Sequence, residues 1–138
     1  MAVRHVNLEA GPWWRQALAD FTAAGLVYIG KSYFATSWFA QQSVEKGTKA
    51  LIVERRGTLP PRTHDLNYLG RAVSVPQPIA EELSTLNPSF QRTRYPDYQS
   101  GSAPVDQVTA NEAKRDLDSA KRVLIWLAHE LGEQFPQS

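Results

Sequence analysis

Two of the three histidines have neighbours that could support proton transfer. His129 follows Arg122 with six residues between them, so on a helix both side chains would lie on one face. A histidine can move a proton and an arginine can hold a phosphate, which together could cleave a phosphodiester bond. Because short spacing matches often arise by chance, we favour a solvated basic helix edge over a catalytic pair.

His64 is followed directly by Asp65, which could serve as the carboxylate partner of a general base. Adjacent side chains rarely face each other, whereas an aspartate before an apolar residue is typical of a helix N-cap. We therefore interpret Asp65 as the start of a helix and keep His64 as a ligand-binding candidate. The remaining histidine, His5, falls in a segment that we expect to be loose.

A group of four residues, Arg94 to Asp97, combines a cation, an aromatic ring, a stiff backbone and a carboxylate. Arg94 could hold a phosphate while Tyr95 stacks on a base. Alternatively, Arg94 and Asp97 could hold the loop against the rest of the protein, with Tyr95 filling a gap. We favour the second interpretation slightly, and the two are compatible.

Charged residues also occur inside an otherwise apolar stretch. Glu45 precedes Lys49 by four residues, the favourable order for an ion pair on a helix, and Lys46 lies beside them. They could form the polar floor of a ligand cleft or hold helices in register. The histidines are far apart and lack ligand spacing, and there is no glycine-rich phosphate loop. We therefore expect no metal and no other cofactor.

Length and composition restrict the classes of protein. The chain has 138 residues, no cysteine, and a net charge of +1 from 15 basic and 14 acidic residues. We expect one domain over residues 1–138, with loose ends at 1–10 and 133–138. Balanced charge excludes a strongly basic nucleic-acid coat but not a local basic patch. Without cysteine, a signal peptide or a long apolar run, we expect a cytoplasmic protein that does not enter a membrane.

Apolar residues recur at spacings of three and four, which predicts helices and no strands. Thr109 and Glu112 form a capping box, Pro88 should strain or restart a helical turn, and Gly47 marks either a close helix crossing or sequence drift. The predicted elements are a helix from Pro12 to about Gly30, a helix over 33–55, a short helix or turn at 63–69, a helix over 79–90, a loop over 94–106, and a helix from Thr109 to Leu131.

The predicted fold class is therefore all-α, an up-and-down antiparallel bundle of four main helices with a short extra helix. Aromatic residues exceed what one packing face needs, because Trp38 and Phe39 are adjacent and Trp126 lies beside the leucine seam of the last helix. We expect Trp38, Phe39 and Trp126 to contact a second subunit.

Four motifs, in this order and spacing, resemble the HEPN domains of prokaryotes over nearly the whole chain. They are Trp14–Phe21, Gln41–Leu51, the His64–Leu66 triplet with Leu69 after it, and Arg94–Asp97. The resemblance implies a bundle of four or five helices that pairs as a homodimer. Such proteins are often encoded beside a minimal nucleotidyltransferase in toxin–antitoxin-like pairs. Some are metal-independent ribonucleases, and others are thought to bind nucleotides.

Ribonuclease members of that family carry an arginine followed, after four to six residues, by a histidine near the junction of the third and fourth helices. Arg92 and Arg94 occupy that region, but no histidine follows them. The resemblance therefore favours a module that binds a nucleotide or RNA, with little or no catalysis. The alternatives are a ribonuclease that uses Arg122 and His129, and a purely structural partner. The ligand-binding candidates are Arg94, Tyr95, Asp97, Glu45, Lys46, Lys49 and His64.

Overall fold

The computed structural model describes residues 9–136. These residues form seven helices, and their one β-type pairing is an isolated bridge between Asp97 and Ser102. The helices are α1 (Gly11–Ile29), α2 (Tyr33–Arg56), α3 (Leu66–Ala72), α4 (Gln77–Leu86), α5 (Ser89–Arg92), α6 (Pro104–Gln107) and α7 (Ala110–Leu131). The predicted all-α class is confirmed. None of the described helices is long and apolar enough to cross a membrane.

Helices α1 and α2 form an antiparallel hairpin. Pro12 lies in the first turn of α1, where its missing N–H is not needed. The chain reverses at Lys31, whose φ of 64° is left-handed, and α2 then runs back along α1. Gly57, also left-handed at φ 64°, ends α2 by donating its N–H to Val53 O.

Helix α7 runs parallel to α2. Near the C-terminal ends of both helices, Arg55 lies 2.7 Å from Glu130. Further back, Gly47 of α2 faces Leu124 and Leu127 of α7 so closely that an added Cβ would lie 3.0–3.1 Å from their methyl groups. Of the two interpretations of Gly47, the structure therefore supports the close helix crossing and not sequence drift.

Helix α4 runs antiparallel to α7. Glu82 in α4 accepts from Ser119 and Arg122, whereas Ser89, further along the chain, donates to Asp116 nearer the start of α7. Direction thus alternates along the main helices α1, α2, α4 and α7, which is the up-and-down order. The fully buried leucines of the shared core come from several helices and include Leu51, Leu66, Leu69, Leu83, Leu86, Leu124, Leu127 and Leu131.

Three details differ from the predicted elements. The helix predicted over residues 79–90 is interrupted, because α4 ends at Leu86 and α5 restarts after Pro88, as that proline suggested. The predicted loop over 94–106 contains the one-turn helix α6, which Pro104 begins. In the C-terminal segment predicted to be loose, Phe135 packs edge-on against Phe21 with ring centroids 5.6 Å apart. Residues 1–8, which include His5, and residues 137–138 lie outside the described part of the chain.

Candidate functional site

The site begins with three polar side chains on one face of α2. Gln41, Glu45 and Lys49 are spaced by four residues and all are buried. Gln41 Nε2 donates to Glu45 Oε1 at 3.2 Å, and Lys49 Nζ donates to Glu45 Oε2 at 3.0 Å. The predicted pair of Glu45 and Lys49 is confirmed, and it lies inside the protein rather than on its surface.

His64 approaches the same carboxylate from the segment before α3. Its Nδ1 lies 3.0 Å and 3.1 Å from the two carboxylate oxygens of Glu45. An ionised carboxylate only accepts, so Nδ1 carries a proton and Nε2 remains on the opposite edge of a ring that is 55 % exposed. The carboxylate partner is therefore Glu45 and not Asp65. Asp65 caps α3 by accepting from the N–H groups of Asn67 and Tyr68, as predicted.

Planar side chains continue outward from His64 in what we call the stacked row: Phe39, Trp38, Arg94, Phe90 and His64. The rings of His64 and Phe90 are stacked, with centroids 4.1 Å apart and planes inclined by 17°. Arg94 Cζ lies 3.8 Å from the centroid of Phe90 and 5.3 Å from that of Trp38. Trp38 in turn stacks on Phe39, with centroids 5.7 Å apart. The row presents one cation between aromatic rings.

Arg94 is held in this row by its own chain segment. Its Nη1 donates to Phe90 O at 2.8 Å, and the guanidinium has further N–H donors. Partial burial lowers its pKa, and the negative charge of Glu45 opposes that shift. The guanidinium nevertheless stays charged at every physiological pH, because an arginine pKa begins far above neutrality.

Lys46, the neighbour of Glu45 in sequence, belongs to a different contact. Its Nζ lies 2.7 Å from Asp20 Oδ2 in α1, and Gln16 donates to the other oxygen of that carboxylate. Lys46 therefore joins α1 to α2 and takes no part in the stacked row. Lys49 remains with Glu45 and lies 5.7 Å from the ring centroid of Trp13.

The two other candidates near Arg94 have unlike surroundings. Tyr95 is 55 % exposed beside Arg94 and is free to contact a ligand. Asp97 instead shapes its own loop, since its N–H donates to Ser102 O and its Oδ1 accepts from Gln99 N. The hydrogen bond from the backbone of Gln99, followed by those from Ser100, lowers the pKa of Asp97.

Arg122 and His129 contact different carboxylates. Arg122 Nε lies 2.6 Å from Glu82 Oε2 in α4, and this hydrogen bond raises the pKa of the arginine. His129 Nδ1 lies 3.2 Å from Glu130 on its own helix, and its ring lines a groove between α1 and α7. The geometry thus gives Arg122 a bundle-stabilising ion pair.

The three aromatic residues expected at a subunit contact also separate. Trp38 and Phe39 lie near the start of α2, and Trp38 is 38 % exposed. Trp126 is half-buried and packs against the main core. Part of the apolar surface of Trp126 is therefore already covered by its own subunit.

Two site residues carry no functional signal in the sequence. Phe90 falls at the end of the helix predicted over residues 79–90, and in the structure it stacks on His64 and on Arg94, which follows it by four residues. The side chain of Asn87 accepts from Leu66 N and donates to Asp65 Oδ1, which fixes the start of α3. A shallow depression of about 290 Å³ beside the stacked row is lined by His64, Asp65, Asn87, Pro88, Phe90 and Gln91.

This arrangement can bind an anion and stack on a planar group. Arginine forks onto phosphate oxygens, a histidine edge can donate or accept one proton, and aromatic faces stack on bases. Within residues 9–136, no three histidine, aspartate or glutamate side chains come close enough to hold a metal ion.

Comparison with known proteins decides the family. The sequence model of the HEPN domain matches residues 10–131. The chain belongs to the HEPN family. The match includes every residue of the stacked row as well as Glu45 and Lys49, so the candidate site lies within the HEPN domain.

Solved structures agree with this assignment. TT1696 from Thermus thermophilus, whose crystal structure is known, shares 26 % sequence identity with this HEPN chain. The two structures superpose with a TM-score of 0.81, and the match covers 88 % of this chain and 98 % of TT1696. ST0689, an archaeal HEPN homologue, is also 26 % identical, with a TM-score of 0.74 over 88 % and 97 % of the respective chains. No protein of curated function matches the sequence significantly.

Proposed function

We propose that this HEPN protein is a nucleotide- or RNA-binding module whose site lies at the outer edge of the stacked row. The observation that carries the proposal is the position of Arg94, which rests on Phe90 beside His64, with His64 oriented by the buried Glu45. A cation and a histidine edge that share one aromatic support form a prepared anion site.

Exposed aromatic groups beside that anion site suit the rest of a nucleotide. Trp38 and Tyr95 are both partly exposed. The ring of Trp38 faces Arg94 in space, and Tyr95 follows Arg94 in the sequence. Every nucleobase has a face that stacks on an aromatic ring, at about 1–3 kcal/mol per base. Phosphate binding by Arg94 with stacking on Trp38 or Tyr95 would therefore favour nucleotides over simple anions.

The direct test is a melting-temperature screen of the purified protein with mononucleotides and short single-stranded RNA. A ligand at 100 times its Kd adds about 2.7 kcal/mol to the free energy of unfolding, which raises the melting temperature measurably. We expect at least one nucleotide or RNA to do so. If none does, the protein is instead a structural partner without a nucleotide ligand.

Its family also leads us to propose that the protein forms a homodimer and pairs with a minimal nucleotidyltransferase in a toxin–antitoxin-like unit. Support comes from apolar side chains that this subunit leaves uncovered. Trp38, exposed at the stacked row, supports the contact with a second copy, and Leu26 and Ile125, exposed along the groove between α1 and α7, support the contact with the nucleotidyltransferase. Co-purification of the two proteins from cells that express both genes tests the pairing.

RNA cleavage is a second candidate function, favoured by the contact of His64 with Glu45. In its neutral form, His64 Nε2 would take the proton of a ribose 2′-hydroxyl while that oxygen bonds to the adjacent phosphorus, which forms a 2′,3′-cyclic phosphate. The bond from phosphorus to the 5′ oxygen of the next nucleotide breaks, and that oxygen leaves as a hydroxyl after taking a proton from water. Arg94 would stabilise the charge that develops on the phosphate. This mechanism uses His64 and Arg94 in place of His129 and Arg122.

The cleavage candidate is tested with labelled single-stranded RNA in the presence of a metal chelator. If cleavage occurs and His64→Ala abolishes it while His129→Ala retains it, the enzyme uses His64. Absence of cleavage by the wild-type protein eliminates the ribonuclease function and leaves binding untouched.

A further inference from the structure

His64 offers a ligand only one of its two ring nitrogens. Nδ1 is held by both oxygens of Glu45 at 3.0 Å and 3.1 Å, so it carries a proton whatever the charge of the ring. The charge of the imidazole is therefore decided at Nε2. Neutral Nε2 accepts a hydrogen bond, and only the protonated form can donate one to an anion.

Charged groups approach His64 from each element that packs around it. Glu45 and Lys49 belong to α2, Arg94 follows α5, and Asp65 is the next residue in the chain. Lys49 forms an ion pair with Glu45, and the carboxylate of Asp65 accepts from the N–H groups of α3 and from Asn87. Arg94 is the remaining cation among these groups, and protonation of His64 would add a second cation beside it.

The two cationic groups are close enough to share one phosphate. The imidazole of His64 and the guanidinium of Arg94 lie 4.1 Å and 3.8 Å from the centroid of Phe90, so their centres are at most about 8 Å apart. Each oxygen of a phosphate can accept a hydrogen bond from a donor about 2.8 Å away. One phosphate can therefore accept from both His64 and Arg94 through different oxygens.

We propose that the site takes the terminal phosphate monoester of a nucleotide as a dianion, and that His64 binds a proton at Nε2 together with it. This inference rests on the nucleotide-binding function proposed above. A monoester carries close to two negative charges above pH 7, which match Arg94 and a protonated His64. A phosphodiester carries one charge, which Arg94 alone can match.

The test measures the dissociation constant of 5′-AMP by calorimetry between pH 7.0 and 8.5, where the monoester remains a dianion. Because the complex holds one more proton than the free protein, affinity should fall as pH rises, approaching tenfold per pH unit. Cyclic 3′,5′-AMP, a diester, should bind more weakly and with little pH dependence. Inorganic phosphate separates recognition of the phosphate from recognition of the nucleoside.

Two histidine variants assign the proton. His64→Gln should flatten the pH dependence of 5′-AMP binding, whereas His129→Gln, at an exposed histidine on α7, should keep the wild-type slope. Circular dichroism confirms that both variants are folded. If the two variants keep equal slopes, or cyclic AMP binds as tightly as 5′-AMP, the inference is overturned while nucleotide binding stands. If 5′-AMP, cyclic AMP and RNA all fail to bind, the proposed function fails as well.

Discussion

Glu45 is the residue on which the site depends. Its buried carboxylate accepts from Gln41, Lys49 and His64, and so joins the interior of α2 to the surface at the stacked row. Spacing along the helix was enough to predict its pairing with Lys49. The contact with His64 spans 19 residues of sequence and depends on how α3 returns to α2, so no local pattern could indicate it.

Removing the charge of Glu45 should destabilise the protein. In Glu45→Gln, the ammonium group of Lys49 stays buried without its carboxylate, and breaking a buried pair in this way costs about 3 kcal/mol. Urea unfolding measures this cost. The double variant Glu45→Gln/Lys49→Met should recover much of it, because no unpaired charge remains. If the double variant is as unstable as the single one, the buried pair is not the cause.

Helix ends were the most predictable feature at the scale of elements. Thr109 and Glu112 exchange hydrogen bonds of 3.1 Å between side chain and backbone, as their sequence pattern predicted. The packing of α7 against α2 was not predictable, since apolar spacing indicates which face of a helix is buried but not which helix covers it. The one-turn helix α6 was missed because four residues are too few to show a period.

The capping box gives a pH-dependent prediction. Burial raises the pKa of Glu112, but hydrogen bonds from Thr109 and the charge of Arg92 outweigh it and leave that pKa below the ordinary 4.5. Ionised Glu112 therefore stabilises the fold above about pH 4.5, and this stabilisation is lost as pH falls further. We expect Glu112→Gln to cost about 0.5–1 kcal/mol at pH 7 and less near pH 3. An equal cost at both pH values in urea titrations would contradict this.

The crossing of α2 and α7 gives a prediction about packing. In Gly47→Leu, the new side chain would have to displace Leu124 and Leu127, because even its Cβ would lie within about 3.1 Å of their methyl groups. Overpacking of this kind costs typically about 1–3 kcal/mol. The control is Gly25→Ala in α1, where nothing lies within 4 Å of the added Cβ, and it should stabilise the protein by about 0.5–1 kcal/mol. Thermal unfolding measures the change in stability of both variants. If Gly47→Leu and Gly25→Ala change the stability equally, the close crossing of α2 and α7 is ruled out.

For the whole molecule, the proposed homodimer accounts for the aromatic surface at the start of α2. We expect the protein to sediment as a dimer at micromolar concentration and Trp38→Ala to shift it toward monomer. Ile125→Ala, in the groove between α1 and α7, is the matched control and should leave the dimer intact. The opposite result would move the interface to that groove.

Arg94, supported by the stacked row, is the residue that we propose binds the phosphate of a nucleotide. Calorimetric titration of 5′-AMP into wild-type protein, Arg94→Gln and Arg71→Gln tests it most directly. Arg71 also lies over an aromatic ring, 6.0 Å from the centroid of Tyr68, but outside the site. Losing a charged hydrogen-bond donor costs about 1.5–3 kcal/mol, so Arg94→Gln should weaken binding at least tenfold while Arg71→Gln binds as the wild type does. Equal affinity in all three proteins, or no binding by the wild type, would contradict the claim.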